Sequence, residues 1–168
     1  FANGAAGSDP IKEGSYEEQI FRRALGQVCT HLAKEITRDG EGASKLIEVT
    51  VEGAKTVEEA RSGARTVAGS LLVKTAVHGN DPNWGRVIAA LGRSKAVLEE
   101  KKIALYINDV CIMEGGLPIP FHKDSIIAIM SGSEVGFRIN LNLGNAQATA
   151  WGCNLSEEYV TFNSAYTT

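Results

Sequence analysis

The period of the apolar residues changes once, across Asp39-Gly40-Glu41-Gly42, and that change limits what the chain can fold into. Before it, Ile20, Ala24, Val28, Leu32 and Ile36 recur at four-residue spacing, the repeat of one helix face. Ser15 followed by Glu18 supplies a capping box at the start of that helix. After the change, Ile47, Val49 and Val51 alternate with Glu48, Thr50 and Glu52, as in a half-buried strand. The two glycines and two carboxylates between the patterns end the helix and turn the chain. A long amphipathic helix feeding a two-faced strand specifies a layered α/β domain.

The same rules parse the rest. Thr56 and Glu59 form a second capping box, and the helix it opens is expected to run to about Val77, with Ala60, Ala64, Val67 and Leu71 as a narrow stripe for close packing. The segment from His78 to Arg86, HGNDPNWGR, is dense in turn formers, and VIAALG then resumes a helical pattern. KIALYIND and VCIMEGG are β-prone runs that meet at Asn108-Asp109, as a hairpin or a tightly bent strand. Leu117-Pro118-Ile119-Pro120 is excluded from a central strand, and DSIIAIMSG reads as a short helix. FRINLNLG and AQATAWG are expected to pair antiparallel around Gly144-Asn145, and EEYVTFNSAYTT is a tail. No repeat or linker interrupts this order, so a single domain over residues 1–168 is expected, with two long helices and five or six strands in a mixed or antiparallel sheet.

Composition excludes several classes of function. With 43% hydrophobic and 22% charged residues, 168 residues suffice for one core. A net charge of −3, from 17 basic residues scattered among 20 acidic ones, points to neither nucleic acid nor an acidic membrane as partner. No apolar run approaches a bilayer span and no signal-peptide pattern is present, so a soluble intracellular protein is expected. Cys29, Cys111 and Cys153 are odd in number and each lies in an apolar stretch, which predicts buried free thiols. None of them pairs with another, or with His31, His78 or His122, at a metal-ligand spacing, so no metal is expected. Phe1 lies in a small-residue run, FANGAAG, and a preceding segment is expected.

Three segments are candidates for chemistry. Glu41, held between two glycines where a helix meets a strand, is either a solvated turn or a carboxylate presented at a sheet edge. In HGNDPNWGR, Asn80, Asp81 and Asn83 can bond their own backbone, Trp84 can fill a core gap and Arg86 can hold a carboxylate or a helix end. That segment is equally a structural corner or a ligand contact, and His78 within it is a weak candidate for a general base. The terminal Asn163-Ser-Ala-Tyr-Thr-Thr168 is rich in amide and hydroxyl groups, as frayed solvent-facing ends often are. Asn154-Leu155-Ser156 matches a glycosylation sequon, taken as chance.

Together RDGEGASKLIEVTVEGA, VKTAVHGNDPNWGRVIAALG, ATAWGCNLSEEYV and the closing NSAYTT resemble the bifunctional glutamate N-acetyltransferase, or ornithine acetyltransferase, family, in register over essentially the whole chain. The resemblance implies a self-processing ornithine acetyltransferase/DmpA-like fold, of which this chain is the C-terminal portion of the β chain. It implies acetyl transfer from N2-acetyl-L-ornithine to L-glutamate through an acetyl-threonine intermediate, in arginine biosynthesis, with acetyl-CoA as a further acetyl donor in some members and no cofactor. The family's nucleophile is an N-terminal threonine freed by autocatalytic cleavage, whose own amine serves as base. Thr30, Thr37, Thr50, Thr56 and Thr66 are interior, so no catalytic residue is expected in this chain, and the nucleophilic threonine and oxyanion-hole residues are expected upstream.

Carried over position by position, Glu41, Asn163 and Thr168 are the implied substrate-binding residues, while Asn83 and Arg86 are given positioning roles. The implied partners are the α chain of the same precursor, in an α2β2 heterotetramer, and amino-acid substrates. The implied compartment is the cytoplasm, or an organelle matrix or stroma in a eukaryote. Two rivals stand beside this reading: a catalytically inactive fragment that only binds amino acids or the partner chain, and a related self-processing aminopeptidase, against which DGEG and NDPNWGR argue.

Overall fold

A computed structural model describes residues 3–165. The chain divides into two compact units, the first ending at Glu35 and the second beginning at Ile36. The first unit consists of turns followed by most of helix α1 (Tyr16–Arg38), which has no buried residue. One arm of its capping box forms as read, Ser15 Oγ accepting from the Glu18 amide at 3.1 Å; the other shifts by one residue, the Glu18 carboxylate accepting from the Gly14 amide at 2.6 Å while the Ser15 amide donates to Lys12 O. The apolar stripe is present but exposed, Val28 at 54% and Leu32 at 52%. Cys29 lies on this helix and is exposed, while Cys111 and Cys153 are half-buried. All three thiols are free, but the expectation that they are buried is corrected: Cys29 lies on a helix face that nothing covers fully, and Cys111 and Cys153 lie in strand segments that cover them only in part.

In the second unit, a six-stranded mixed sheet has the order β4-β3-β2-β5-β1-β6. Strand β1 (Leu46–Ala54) follows the alternation in its sequence: Ile47, Val49 and Val51 are fully buried, and Glu48, Thr50 and Glu52 half-buried. Burial of each apolar side chain stabilises the fold by about 1.5–3 kcal/mol relative to exposure. Helix α2 (Val57–Ala68) packs on the apolar face, with Ala60, Gly63, Ala64, Val67 and Ala68 buried. Its cap is the one expected, Thr56 Oγ1 accepting from the Glu59 amide at 3.1 Å.

The helix expected to reach Val77 ends early. Gly69 caps α2 and Ser70 is extended (φ −74°, ψ 120°) before α3 (Leu71–His78) begins. Glycine is a poor helix residue, and the break rotates Leu71 out of the expected stripe to 66% exposure, while Val73, Ala76 and Val77 turn inward. Helix α4 (Trp84–Leu91) follows the HGNDPN corner and buries Val87, Ala90 and Leu91. Trp84, 37% exposed, does not fill a core gap.

Strands β2 (Ala104–Ile107) and β3 (Val110–Glu114) form the expected hairpin, with Asn108 in the left-handed region at φ 48°. Leu117-Pro118 is a two-residue edge strand, β4, as its prolines require, and α5 (Lys123–Met130) is the expected short helix. The last strands correct another expectation. β5 (Glu134–Asn140) and β6 (Ala146–Cys153) run antiparallel but do not pair, because β1 lies between them, parallel to β5 and antiparallel to β6. Their connector crosses the end of β1: the Leu141 amide donates to Glu52 O at 2.9 Å and the Leu143 amide to Gly53 O at 2.7 Å. Crossing one intervening strand requires roughly 10 Å, within reach of such a connector. Gly53 makes the crossing at φ +68°, where an added Cβ would lie 2.2 Å from Asn140 Oδ1. Period-two alternation shows that both segments are strands and is silent on what lies between them.

Candidate functional site

The tail read as frayed is helix α6 (Glu157–Ala165). Ser156 precedes it with two carboxylates in the first turn, Glu157 and Glu158, and Ser156 Oγ accepts from the Tyr159 amide at 3.3 Å. That serine followed by two acids is an N-terminal helix signal that was available in the sequence. Helix α6 buries none of its own residues, so its placement comes from polar contacts.

Those contacts lead to the DGEG loop. Ser156 Oγ donates to Gly42 O at 2.7 Å, and Gly42 sits at φ +67°, where a Cβ would lie 2.8 Å from both Ser156 Oγ and the Tyr159 nitrogen. The helix thus meets the loop where only glycine fits. Two turns further on, Asn163 Nδ2 donates to Glu41 Oε2 at 2.7 Å and to Tyr159 O at 2.9 Å. Residues 122 apart in sequence meet at an exposed edge. Both amide hydrogens of Asn163 are taken up by these two acceptors. The Glu41 carboxylate, an acceptor at this exposed edge, suits an ammonium better than another carboxylate. Thr168 lies outside the described residues.

Beneath the loop, Asn154 is 3% exposed. Its Oδ1 accepts from the amides of Ser44 and Lys45, both at 2.9 Å, and its Nδ2 donates to Ser44 Oγ at 2.9 Å and meets His78 Nδ1 at 3.1 Å. The two backbone donors fix the orientation of this amide, so Nδ2 faces the ring and His78 Nδ1 must accept. His78 Nε2 then carries the hydrogen toward Glu157 Oε2, 3.1 Å away. His78 therefore bridges a buried amide and the first turn of α6. With Asn154 buried and fully engaged, its carboxamide is closed to glycosylation.

Lys45 binds the surrounding corners together. Its Nζ donates to Met130 O at 2.8 Å, to Val77 O at 3.2 Å and to Asn80 Oδ1, tying the ends of α5 and α3 to the left-handed Asn80. Burial holds its ammonium below the ordinary lysine range. Asn83 and Arg86 lie in the same corner: Asn83 Oδ1 caps α4 by accepting from the Arg86 amide at 3.1 Å, and Arg86 Nη1 reaches Leu72 O at 3.2 Å and Thr75 Oγ1 at 3.3 Å. These contacts bridge α4 to α3. The structure brings Glu41 and Asn163 together and places Asn83 and Arg86 in a separate framework of helix ends.

The polar face of β1 carries a second group of contacts. Trp151 Nε1 donates to Glu48 Oε2 at 2.7 Å, Thr50 and Thr149 hydroxyls meet at 2.8 Å, and Arg138 pairs with Glu52 at 2.9 Å while its guanidinium lies 3.7 Å from the Tyr106 ring centroid. Among the described residues, no group of three or more His, Cys, Asp or Glu is placed to hold a metal ion, and no helix is long and apolar enough to cross a membrane.

A mixed-sheet α/β layer whose loop carboxylate is met by a terminal-helix carboxamide is the class of domain that fold and site define. Comparison with known proteins makes it particular. The ArgJ family pattern matches residues 1–168, and the chain belongs to that family. It is 48% identical to the arginine biosynthesis bifunctional protein ArgJ of Symbiobacterium thermophilum over 99% of this chain and 42% of that protein. It is 45% identical to the protein of the same name from Staphylococcus epidermidis, with the same coverage. The chain thus spans about two fifths of the length of these relatives, matching their C-terminal part. A crystal structure of the arginine biosynthesis bifunctional protein ArgJ of Bacillus halodurans superposes with a TM-score of 0.93 at 38% identity, covering 97% of this chain and 77% of that one.

Proposed function

We propose that this chain is the substrate-closing part of an acetyltransferase that moves an acetyl group from N2-acetyl-L-ornithine to L-glutamate in arginine biosynthesis. Membership of the ArgJ family supports the reading, and the observation that carries it is the 2.7 Å hydrogen bond between Asn163 and Glu41. In this role the Glu41 carboxylate, with Asn163 bonded to it, holds a substrate ammonium, and the Thr168 hydroxyl is left for the substrate carboxylate.

The chemistry itself lies on preceding residues. A threonine hydroxyl there attacks the acetyl carbonyl, and its proton passes through the threonine amine to the leaving ornithine nitrogen. The glutamate amine then attacks the resulting ester, its N–C bond to the acetyl group forming as the ester C–O bond breaks and its proton returning through the threonine amine to the threonine oxygen. Acetyl-CoA is an alternative acetyl donor to the same hydroxyl, and no further cofactor is required. The threonine-bearing β chain and its α chain form the working assembly, an α2β2 heterotetramer in the cytoplasm. The test is Glu41→Ala in the full-length assembly. A rise in KM for ornithine or glutamate substrates of about tenfold or more is expected for loss of a charge-assisted contact, and unchanged kinetics for both would refute the assignment.

A further inference from the structure

We propose that Ser156, supported by Asn154, is a positioning residue for the amino-acid site: it sets the angle at which α6 leaves the DGEG loop and so decides whether Asn163 reaches Glu41. The inference rests on the substrate-site reading above and assigns a role to residues outside it. Helix α6 has no buried residue, and its large apolar side chains, Tyr159, Val160 and Phe162, are each more than two fifths exposed, so apolar packing does little to fix its direction. Its first turn is fixed by the bond from Ser156 Oγ to Gly42 O at 2.7 Å and by the contact between Glu157 and His78 at 3.1 Å.

The segment entering that turn is equally determined. The Asn154 amide donates to Lys45 O at 3.1 Å, its side chain engages Ser44, Lys45 and His78, and the Leu155 amide donates to Lys74 O at 3.3 Å. Ser156 is 8% exposed, so losing its hydroxyl leaves the Gly42 carbonyl without this protein donor in a covered position. Seven residues separate Ser156 from Asn163, which at 1.5 Å per residue is a lever of roughly 10 Å. A tilt of only about 10° at the base then moves Asn163 by about 2 Å, enough to break its bond to Glu41. Small changes at Ser156 are therefore read out at the substrate.

The experiment compares Ser156→Ala, Ser156→Thr and Glu41→Gln in the full-length assembly, with KM and kcat for acetyl transfer and the Kd for L-ornithine by calorimetry. Ser156→Ala is expected to raise KM and Kd about five- to twentyfold with kcat changed less than twofold. Ser156→Thr, which keeps the hydroxyl, should restore both. If Glu41→Gln weakens binding and Ser156→Ala does not, the positioning role is overturned and the substrate site stands. If neither weakens binding, the site reading fails and this inference falls with it. A Ser156→Ala protein that loses kcat in proportion to folded protein, with KM unchanged, would show a structural residue only and would also overturn the proposal. Should that variant fail to fold, Ser156→Cys repeats the comparison: its thiol is only a weak donor to Gly42 O, so KM and Kd should rise in the same direction and by less, and unchanged affinity would overturn the role.

Discussion

Helices α2 and α6 are close in length, at 12 and 9 residues, and both have acids in the first turn, yet they are held by opposite means. Helix α2 buries five residues against the sheet, and α6 buries none. The first is fixed by area removed from water and belongs to the cooperative core. The second is fixed by a few directional bonds at and near a loop, so it can detach while the sheet persists.

The largest expected effect breaks the α2 side of the comparison. Ile47 is fully buried in the layer between β1 and the helices. Ile47→Ala removes apolar volume from that layer and should lower global stability by about 2–5 kcal/mol, read as a drop in midpoint in denaturant titration. A loss below about 0.5 kcal/mol would show that the layer is not the cooperative core.

The next prediction acts on the α6 side. At Gly42, φ +67° is costly for any side chain, and a Cβ would meet Ser156 Oγ and the Tyr159 nitrogen at 2.8 Å. The left-handed conformation alone costs about 1–2 kcal/mol for an L-residue. Gly42→Ala should lower amide-exchange protection in α6 about tenfold and leave α2 protection nearly unchanged. Equal losses in both helices would mean that α6 belongs to the core after all.

The same contrast explains what was legible in the sequence. Apolar periodicity reports burial, so β1 with its buried Ile47, Val49 and Val51, the capped start of α2 and the β2–β3 hairpin could all be read directly. Local signals do not carry long-range placement, which is why β1 could not be seen between β5 and β6. Periodicity also could not show that the face of α1 is exposed. Helix α6 has no apolar face turned inward, so its only signal was Ser156 and the two glutamates after it. The glycines around Glu41 mark it as a candidate, but choosing it and Asn163 over solvated surface rests on family motifs, and their meeting depends on a bond between residues 122 apart. In the sequence Ser156 shows only a sequon position and His78 only a weak base candidate, because their partners, Gly42 and Asn154, come from other segments.

The smallest effect sharpens the comparison by pH. The Glu157 carboxyl is held below the ordinary glutamate range, chiefly by its own backbone N–H at the start of α6 and then by His78 beside it. The folded helix thus binds a proton less readily at this site than the unfolded chain does. Its contribution is complete above the unfolded glutamate value of about 4.3 and is lost as pH falls through the lower folded value. Protection of α6 should therefore decline in that acidic window by more than protection of α2, whose attachment is apolar. Glu157→Gln should abolish the excess decline and leave the rest of the profile in place. Because this carboxylate is exposed, water screens the interaction and the excess should be small. An unaltered α6 profile in the Glu157→Gln protein would show that the His78 contact does not help to hold the helix, leaving Ser156 and Gly42 as its anchor.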